Sequence, residues 1–167
     1  VQPGSYSIAA GMSTSGTLAE WVRELTGGAD WETLTVEAST VPPGSNGLLV
    51  LPYFAGERTP HYDPRARGVV AGLSLQHGRG HLLRAAYEGI AFGIRQNLDL
   101  LEEVDGPAQR ILAVGGGTAS RLWTQIVSDV TGREQLLPEQ TIGACFGDAQ
   151  LAAIGAGLAD QTSPWNA

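Results

Sequence analysis

Apolar residues recur along the chain at the spacings that helices require. The clearest pattern begins at Gly80, where leucine, isoleucine and alanine return every three or four positions and predict a long amphipathic helix ending at Asp105-Gly106. Capping and stop signals predict four shorter helices: one from near Thr17 to Gly27, one capped by Asp30 and running to about Ala38, then Leu122 to Val130 and Gly147 to Leu158.

Short apolar runs between these helices predict strands. Gly47 to Pro52 and Arg110 to Val114 contain no polar alternation, which is expected of strands covered on both faces. Tyr6 to Ala10 and Glu134 to Leu137 are shorter candidates. Strands that alternate with helices predict an α/β domain with a largely parallel sheet.

The segment from Ala55 to Arg67 contains glycine, two prolines and several charges, and it predicts a long ordered loop of the kind that often carries function. Opposite charges that lie close together in a loop commonly pair with one another. We therefore expect Arg58 and Asp63 to brace this loop through charge-assisted hydrogen bonds. An active-site role for the same charges stays open.

Composition narrows the classes of protein. The 167 residues carry a formal net charge of −7, 43% of them are hydrophobic, and all ten basic residues are arginine. That length is enough for one compact domain with its own core. An acidic chain without a basic cluster is a poor partner for nucleic acid, and a P-loop is excluded because it needs lysine.

No stretch approaches the roughly 20 apolar residues that span a bilayer, and the start lacks a secretory leader pattern, so we expect no membrane association. The single cysteine, Cys145, lies among small residues and is predicted to be a buried thiol in a reducing compartment, by default the cytoplasm. The last residues, Thr162 to Ala167, leave open that the natural chain continues.

Three consecutive glycines, Gly115, Gly116 and Gly117, join a predicted strand to a predicted helix. Backbone without Cβ atoms lets a ligand approach closely, and the N-terminus of the following helix attracts anions. A plain turn needs at most one or two glycines, so a nucleotide contact and a simple turn both remain open. A Rossmann-type dehydrogenase is disfavoured, because contiguous glycines replace its Gly-x-Gly-x-x-Gly pattern.

Other candidate sites have simpler structural interpretations. The segment Met12 to Gly16 resembles a nucleophile elbow only in part, because Ser15 stands at a required glycine, and its hydroxyls are expected to cap a helix. His77 and His81 lack a third ligand for a metal, so His81 is expected to cap the long helix or pack against it. Asp148 is predicted at the head of the last helix, where a carboxylate stabilises the helix dipole.

The order of several motifs resembles one enzyme family over nearly the whole chain, from about Ser5 to Gly157. The motifs are Leu51-Pro-Tyr-Phe-Ala-Gly-Glu-Arg-Thr-Pro60, Asp63-Pro-Arg-Ala-Arg-Gly68, Gly72-Leu73, His81-Leu82, Arg84-Ala85, Glu88-Gly89, and the three glycines followed by Leu122-Trp123 and Gln125. In this order and spacing they resemble the C-terminal domain of the FGGY carbohydrate kinases. The Gly-Glu-Arg-Thr-Pro form is most similar to the xylulokinase branch.

The resemblance implies an actin/hexokinase-type, ribonuclease H-like fold with a mixed, mostly parallel sheet flanked by helices. In that family the first domain holds most of the sugar and the second binds ATP in the cleft between them. Residues 1–167 then form a single domain, the C-terminal nucleotide-binding half. The aspartate that acts as general base would lie in an N-terminal half absent from this sequence. The resemblance also implies a Mg²⁺ ion that is held mainly through the ATP phosphates. The substrate that it implies is a xylulose-like ketopentose.

The resemblance assigns nucleotide contacts to particular residues. Gly117 matches the family's nucleotide-contacting glycine, the two glycines before it belong to the same loop, and Gly16 matches a second glycine beside the nucleotide. Glu20 stands where the glycerol kinase branch has a glutamine that contacts the nucleotide. Arg121 stands where that branch has an asparagine that reaches adenine, and it could instead stack on the base. No catalytic residue and no metal ligand is assigned within this chain.

The implied partners are ATP or ADP and a small sugar or polyol, without nucleic acid or membrane, and a homodimer is left open. The resemblance also allows a second interpretation, a non-catalytic nucleotide-binding module of the same actin-like fold. The kinase and the non-catalytic module differ in whether the upstream half carries the aspartate that acts as general base.

Overall fold

A computed structural model of the chain describes residues 6–139 and 143–160. The helices and strands within those ranges are α1 (Gly16–Leu25), α2 (Trp31–Ser39), β1 (Leu49–Leu51), β2 (Val69–Ala71), α3 (Arg79–Asp105), α4 (Arg121–Thr131) and α5 (Ala144–Gly155). All the predicted helices are present, including the long one, which runs for 27 residues. None of the helices described is both long enough and apolar enough to cross a membrane.

Helix α3 is the centre of the packing, and α1, α2, α4 and β1 all lie against it. One stripe of its side chains follows the three- and four-residue spacing of the sequence pattern: Leu83, Ala86 and Ile90 are buried, and Ile94 is partly buried against the same core. The residues packed in the same core are Leu18 and Val22 from α1, Leu34 and Ala38 from α2, Val50 from β1, and Ile126 and Val127 from α4. One continuous hydrophobic core results.

Two glycines let α3 approach its neighbours closely. A Cβ atom on Gly89 would lie 2.2 Å from the carbonyl oxygen of Val50 in β1, and one on Gly80 would lie 2.9 Å from the backbone of Glu37 in α2. Real Cβ atoms essentially never come so near to backbone atoms. These two positions therefore require glycine because of packing.

Local caps mark the ends of several helices, although the expected hydroxyl cap of α1 is not found, because Ser15 at its N-cap makes no side-chain hydrogen bond to the helix. Asp30 accepts a hydrogen bond from the Thr33 N–H (2.8 Å) at the start of α2, and Gly132 ends α4 with a φ of 66°. At the start of α3, His81 Nδ1 accepts from the Gly78 N–H (3.2 Å), so the predicted capping role is confirmed. Within the described ranges, no three His, Cys, Asp or Glu side chains are grouped so that they could hold a metal ion.

The sheet differs from the predicted one. β1 and β2 pair antiparallel, with Leu49 opposite Ala71 and Leu51 opposite Val69. Only the middle residue of β1, Val50, is buried. Helix α3 covers one face of this ladder and the other face stays open, so burial on both faces, as predicted for this strand, is not found.

The other predicted strands are reduced to a single parallel bridge between Leu112 and Leu136. Leu112 and Val114 are exposed rather than buried, and Tyr6–Ala10 has no regular structure. A strand obtains its hydrogen bonds only from a neighbour, and no further strand among the described residues pairs with these segments. The largely parallel sheet is therefore not present in the part of the chain that the structure describes.

The last helix starts earlier than predicted. α5 begins at Ala144, directly after Gly143 with a φ of 86°, so Asp148 lies in its second turn and not at its head. No residue of α5 is buried. Cys145 is accordingly exposed, and the prediction of a buried thiol is wrong because no described element covers that part of the helix.

An ion pair joins α2 to the first turn of α3. Arg79 Nε and Nη2 lie 2.7 and 2.6 Å from the two carboxylate oxygens of Glu37. This bidentate hydrogen bonding holds the pKa of Glu37 below its ordinary value. A carboxyl whose pKa is lowered by folding contributes stability that is present above its unfolded pKa, about 4.3, and is lost as the pH falls through the folded value.

We expect Glu37→Gln to lower the melting temperature at neutral pH, and this loss to vanish below the folded pKa, where the wild-type carboxyl is itself protonated. Thermal unfolding followed from neutral to strongly acidic pH measures the effect. Glu103→Gln is the matched control, because the Glu103 side chain is exposed on α3 and has no hydrogen bond or ion pair with a described residue. A loss that is independent of pH would contradict this account.

Candidate functional site

The glycine loop, residues 115–117, is fixed by its own hydrogen bonds. Gly115 adopts a φ of 95°, and its carbonyl accepts hydrogen bonds from the N–H and the hydroxyl of Thr118 at 3.1 and 2.7 Å. The Gly117 carbonyl accepts from the Ser120 N–H at 3.0 Å. The loop is therefore an ordered turn with exposed backbone at its second and third residues.

Only two of the three glycines are required by the fold. Gly115 needs its positive φ. A Cβ atom on Gly117 would lie 2.9 Å from the indole nitrogen of Trp123, whose ring packs on Tyr87 of α3 with 5.1 Å between the ring centroids. A Cβ atom on Gly116 would meet nothing within 4 Å, and its φ is one that any residue adopts. The missing side chain at Gly116 leaves room for a ligand against the backbone.

A groove of about 370 Å³ lies beside this loop, and its volume is in the range of small-molecule sites. The residues that line it include Thr118, Arg121, Thr124, Ser128 and Gln135. Gln135 already donates to the Thr124 carbonyl (2.8 Å) and the Ser128 hydroxyl (2.9 Å). The Arg121 side chain is exposed and has no hydrogen bond or ion pair with a described residue, so its N–H donors are available to a ligand.

The start of α5 lies against the glycine loop. A Cβ atom on Gly143 would lie 3.8 Å from the Cα atom of Gly115. The first N–H groups of a helix lack intrahelical partners and carry partial positive charge, which favours an anion such as phosphate. The sequence prediction missed this neighbour, because it placed the start of the helix at Gly147, beyond the turn at Gly143.

The two predicted residues of α1 lie outside the groove. Gly16 is the first residue of α1, and a Cβ atom there would meet nothing within 4 Å, so the fold does not require glycine. Glu20 is paired with Arg23, whose Nε lies 3.1 Å from both carboxylate oxygens, and this hydrogen bonding lowers the pKa of Glu20. The structure thus brings together the glycine loop and Arg121, but it does not bring these two residues into the same groove.

The charged loop that follows β1 is braced from within. Glu57 is buried, and its Oε2 accepts hydrogen bonds from the N–H groups of His61 (2.8 Å) and Tyr62 (2.9 Å). Asp63 accepts from the Arg65 N–H at 2.8 Å, which confirms its predicted bracing role. Glu57 likewise has the structural role expected of the charges in this loop, but its partners are backbone N–H groups and not a neighbouring arginine.

Arg58 does not brace this loop, so that prediction is wrong. Its side chain is exposed and has no hydrogen bond or ion pair with a described residue. The neighbouring Glu57 carboxylate is bonded by backbone N–H groups of the turn, and the guanidinium is left without an anionic partner.

Comparison with known proteins decides the family. The family model described as "FGGY family of carbohydrate kinases, C-terminal domain" matches residues 1–156. The chain belongs to this FGGY family. Its glycine loop and groove lie well inside the matched range.

The FGGY chain is 37% identical to the xylulose kinase of Lactococcus lactis, a match that covers 95% of this chain and 32% of that protein. It is 36% identical to the gluconokinase of Bacillus subtilis, and this match covers 93% of this chain and 33% of that protein. The crystal structure of xylulose kinase from Rhodospirillum rubrum matches with a TM-score of 0.75 and 37% identity, over 92% of this chain and 31% of that one. The actin/hexokinase-like fold is confirmed, and the chain spans about a third of the length of the curated relatives it matches.

Proposed function

We propose that this FGGY chain is the nucleotide-binding domain of an ATP-dependent carbohydrate kinase. The proposal rests on the observation that residue 116 is glycine although the fold does not require glycine there. The loop that contains Gly116 lies between an open groove and the start of α5. A groove next to a helix N-terminus suits a ligand with a planar base and an anionic phosphate chain.

The residues present fit ATP. Backbone N–H groups of the glycine loop and of the start of α5 would bind phosphate oxygens, and Arg121 would lie along the base or stack on it. Mg²⁺ would be held by the phosphates and by water, as is usual for this ion, and would neutralise charge on the transferred phosphoryl group. We assign no protein ligand to it.

We also assign no general base within this chain. A base must lie within hydrogen-bond reach of the attacking hydroxyl. Glu57 holds two backbone N–H groups, and Glu20 is held by Arg23. Asp63 caps its own loop, and Asp148 is exposed on α5. The base and most of the sugar site would lie in an N-terminal half that completes a kinase of the relatives' length.

A xylulose-like ketopentose is the favoured acceptor. Its support is the Gly-Glu-Arg-Thr-Pro sequence at 56–60 and the likeness to proteins named xylulose kinase. The likeness to a gluconokinase supports a sugar acid as a second candidate. The alternative for the chain as a whole is a non-catalytic nucleotide-binding module of the same fold.

We expect this chain by itself to bind ATP weakly and to phosphorylate no sugar, because the base and half of the cleft that excludes water are absent. The assay uses a panel of ketopentoses, polyols, gluconate and glycerol with ATP and Mg²⁺. It is run on the chain alone and on the chain mixed with its N-terminal half, and turnover is expected only from the mixture.

Turnover by the isolated chain would contradict this two-domain account, and it would require a base among Glu20, Glu57, Asp63 and Asp148. If the full-length protein binds ATP but phosphorylates no member of the panel, the non-catalytic module becomes the better interpretation. If the full-length protein binds no ATP, the proposed function is wrong.

A further inference from the structure

A second concave site, which we call the loop pocket, lies where the charged loop meets the segment before α1 and the middle of α3. It is lined by Met12, Ser13, Tyr53, Arg58, Gly93 and Gln96, among others. Its enclosed space is about 10 Å³, which is the space of one water molecule or of one oxygen atom of an oxyanion. A larger anionic group would place one oxygen in this space and remain otherwise outside it.

The walls of the loop pocket are held by tertiary contacts. The Gly11 N–H donates to the Thr59 hydroxyl (3.4 Å), and the Thr14 hydroxyl donates to the Pro52 carbonyl. Met12 fills the space above Gly93, where a Cβ atom would lie 2.4 Å from its terminal methyl group. The backbone that carries the pocket is therefore anchored to both neighbouring segments.

Arg58 is the cationic side chain of this pocket. Its Nη1 lies 3.8 Å from the place a Cβ atom on Gly11 would take, so the guanidinium lies over the segment that leads into α1. Within the described ranges, the arginine side chains without a hydrogen bond or ion pair are those of Arg58, Arg110 and Arg121. Two of these three line the two concave sites, one in each.

The carboxylate and the histidine at the pocket are already engaged in hydrogen bonds. Glu57 also lines it, but its Oε2 accepts two backbone N–H groups, which reduces the field of that carboxylate. His61 lies beside the pocket, with its Nε2 3.2 Å from the Gln96 amide nitrogen. A planar guanidinium with free donors is suited to bind a phosphoryl or carboxylate group through two hydrogen bonds.

The segment that carries Ser13 continues directly into Gly16, the glycine at the start of α1 that the fold does not require. We propose that Arg58 binds the oxyanion of the phosphoryl group that the kinase transfers. This inference rests on the proposed function. The same phosphoryl oxygens belong first to the terminal phosphate of the nucleotide and then to the sugar phosphate product, and Arg58 contacts them in one or both of these molecules.

The experiment compares Arg58→Gln with the wild-type full-length protein in two arms. Calorimetry gives the dissociation constants of ATP and ADP, and steady-state kinetics give the inhibition constant of the sugar phosphate product. If Arg58 contacts the terminal phosphate, the ATP constant rises at least about tenfold while the ADP constant stays unchanged. If it contacts the product, the product inhibition constant rises at least about tenfold.

The matched control is Arg65→Gln, which removes the same charge from the same loop at a side chain that is 92% exposed. All three constants should stay at their wild-type values in this variant. Arg58→Lys, which keeps the charge but not the two-pronged geometry, should recover only part of the loss. Unchanged melting temperatures for all three variants separate binding from folding.

The inference would be overturned if Arg58→Gln kept the wild-type values of both the ATP dissociation constant and the product inhibition constant. Equal effects of Arg58→Gln and Arg65→Gln would overturn it as well. Failure of the proposed function gives a different result, because the wild-type protein itself would then bind no ATP. In that case this inference fails together with the function on which it rests.

Discussion

Gly116→Val is expected to weaken ATP binding by at least about tenfold, near 1.4 kcal/mol, without loss of stability. The reason is that a Cβ atom at this position meets no protein atom within 4 Å, so the added side chain would occupy only the space of a ligand. Calorimetry on the full-length protein measures the ATP affinity. Thermal unfolding of the same preparation shows that the fold is retained.

Gly117→Val is the informative comparison. Its side chain would meet Trp123, which packs on Tyr87, so we expect this variant to lose both stability and ATP affinity. The two variants together distinguish a steric effect on the ligand from damage to the loop. An unchanged ATP affinity in Gly116→Val would remove the glycine loop from the nucleotide site.

Gly89→Ala is expected to lower the free energy of unfolding by about 3 kcal/mol, the upper part of the usual range for overpacking. The added methyl group would lie 2.2 Å from the Val50 carbonyl oxygen, so α3 would have to move away from β1. The methyl group is attached directly to the backbone of α3 and the oxygen belongs to the backbone of β1, so no side-chain rotation can relieve the contact. Chemical denaturation of wild type and variant measures the loss.

Gly155→Ala is the control for that measurement. Gly155 is also a helical glycine, but a Cβ atom there would meet nothing within 4 Å, so the substitution should be neutral or slightly stabilising. Equal stability of Gly89→Ala and wild type would mean that α3 and β1 do not approach each other as closely as described.

The helices could be predicted from the sequence because their signals are local. The spacing of apolar residues in α3, the Asp30 cap and the stop at Gly132 each depend on a few neighbouring positions. The strands depend on partners far away in the chain, and the apolar run at 110–114 keeps only one bridge within the described residues. Burial of a strand is a property of its neighbours, and its own sequence cannot show it.

The candidate site could be predicted in part for the same reason. Three adjacent glycines before a helix indicate a ligand loop, but the sequence cannot show which of them the fold itself requires. Trp123 provides that information, because its indole ring excludes a side chain at Gly117 and leaves Gly116 free. Likewise, the charges of Glu57 and Arg58 are evident in the sequence, but which of the two turns inward is decided by the N–H groups of residues 61 and 62.

Helix α3 supports both concave sites. Tyr87 packs on the tryptophan that backs the glycine loop, and Gln96, nine residues later, forms part of the loop pocket. At 1.5 Å per residue, these two positions are about 13.5 Å apart along the axis of one uninterrupted helix. A regular α-helix is difficult to stretch, so α3 keeps these two residues at a fixed separation along its axis. The two sites therefore keep their relative positions, and a ligand that contacts both of them has to span the fixed distance between them.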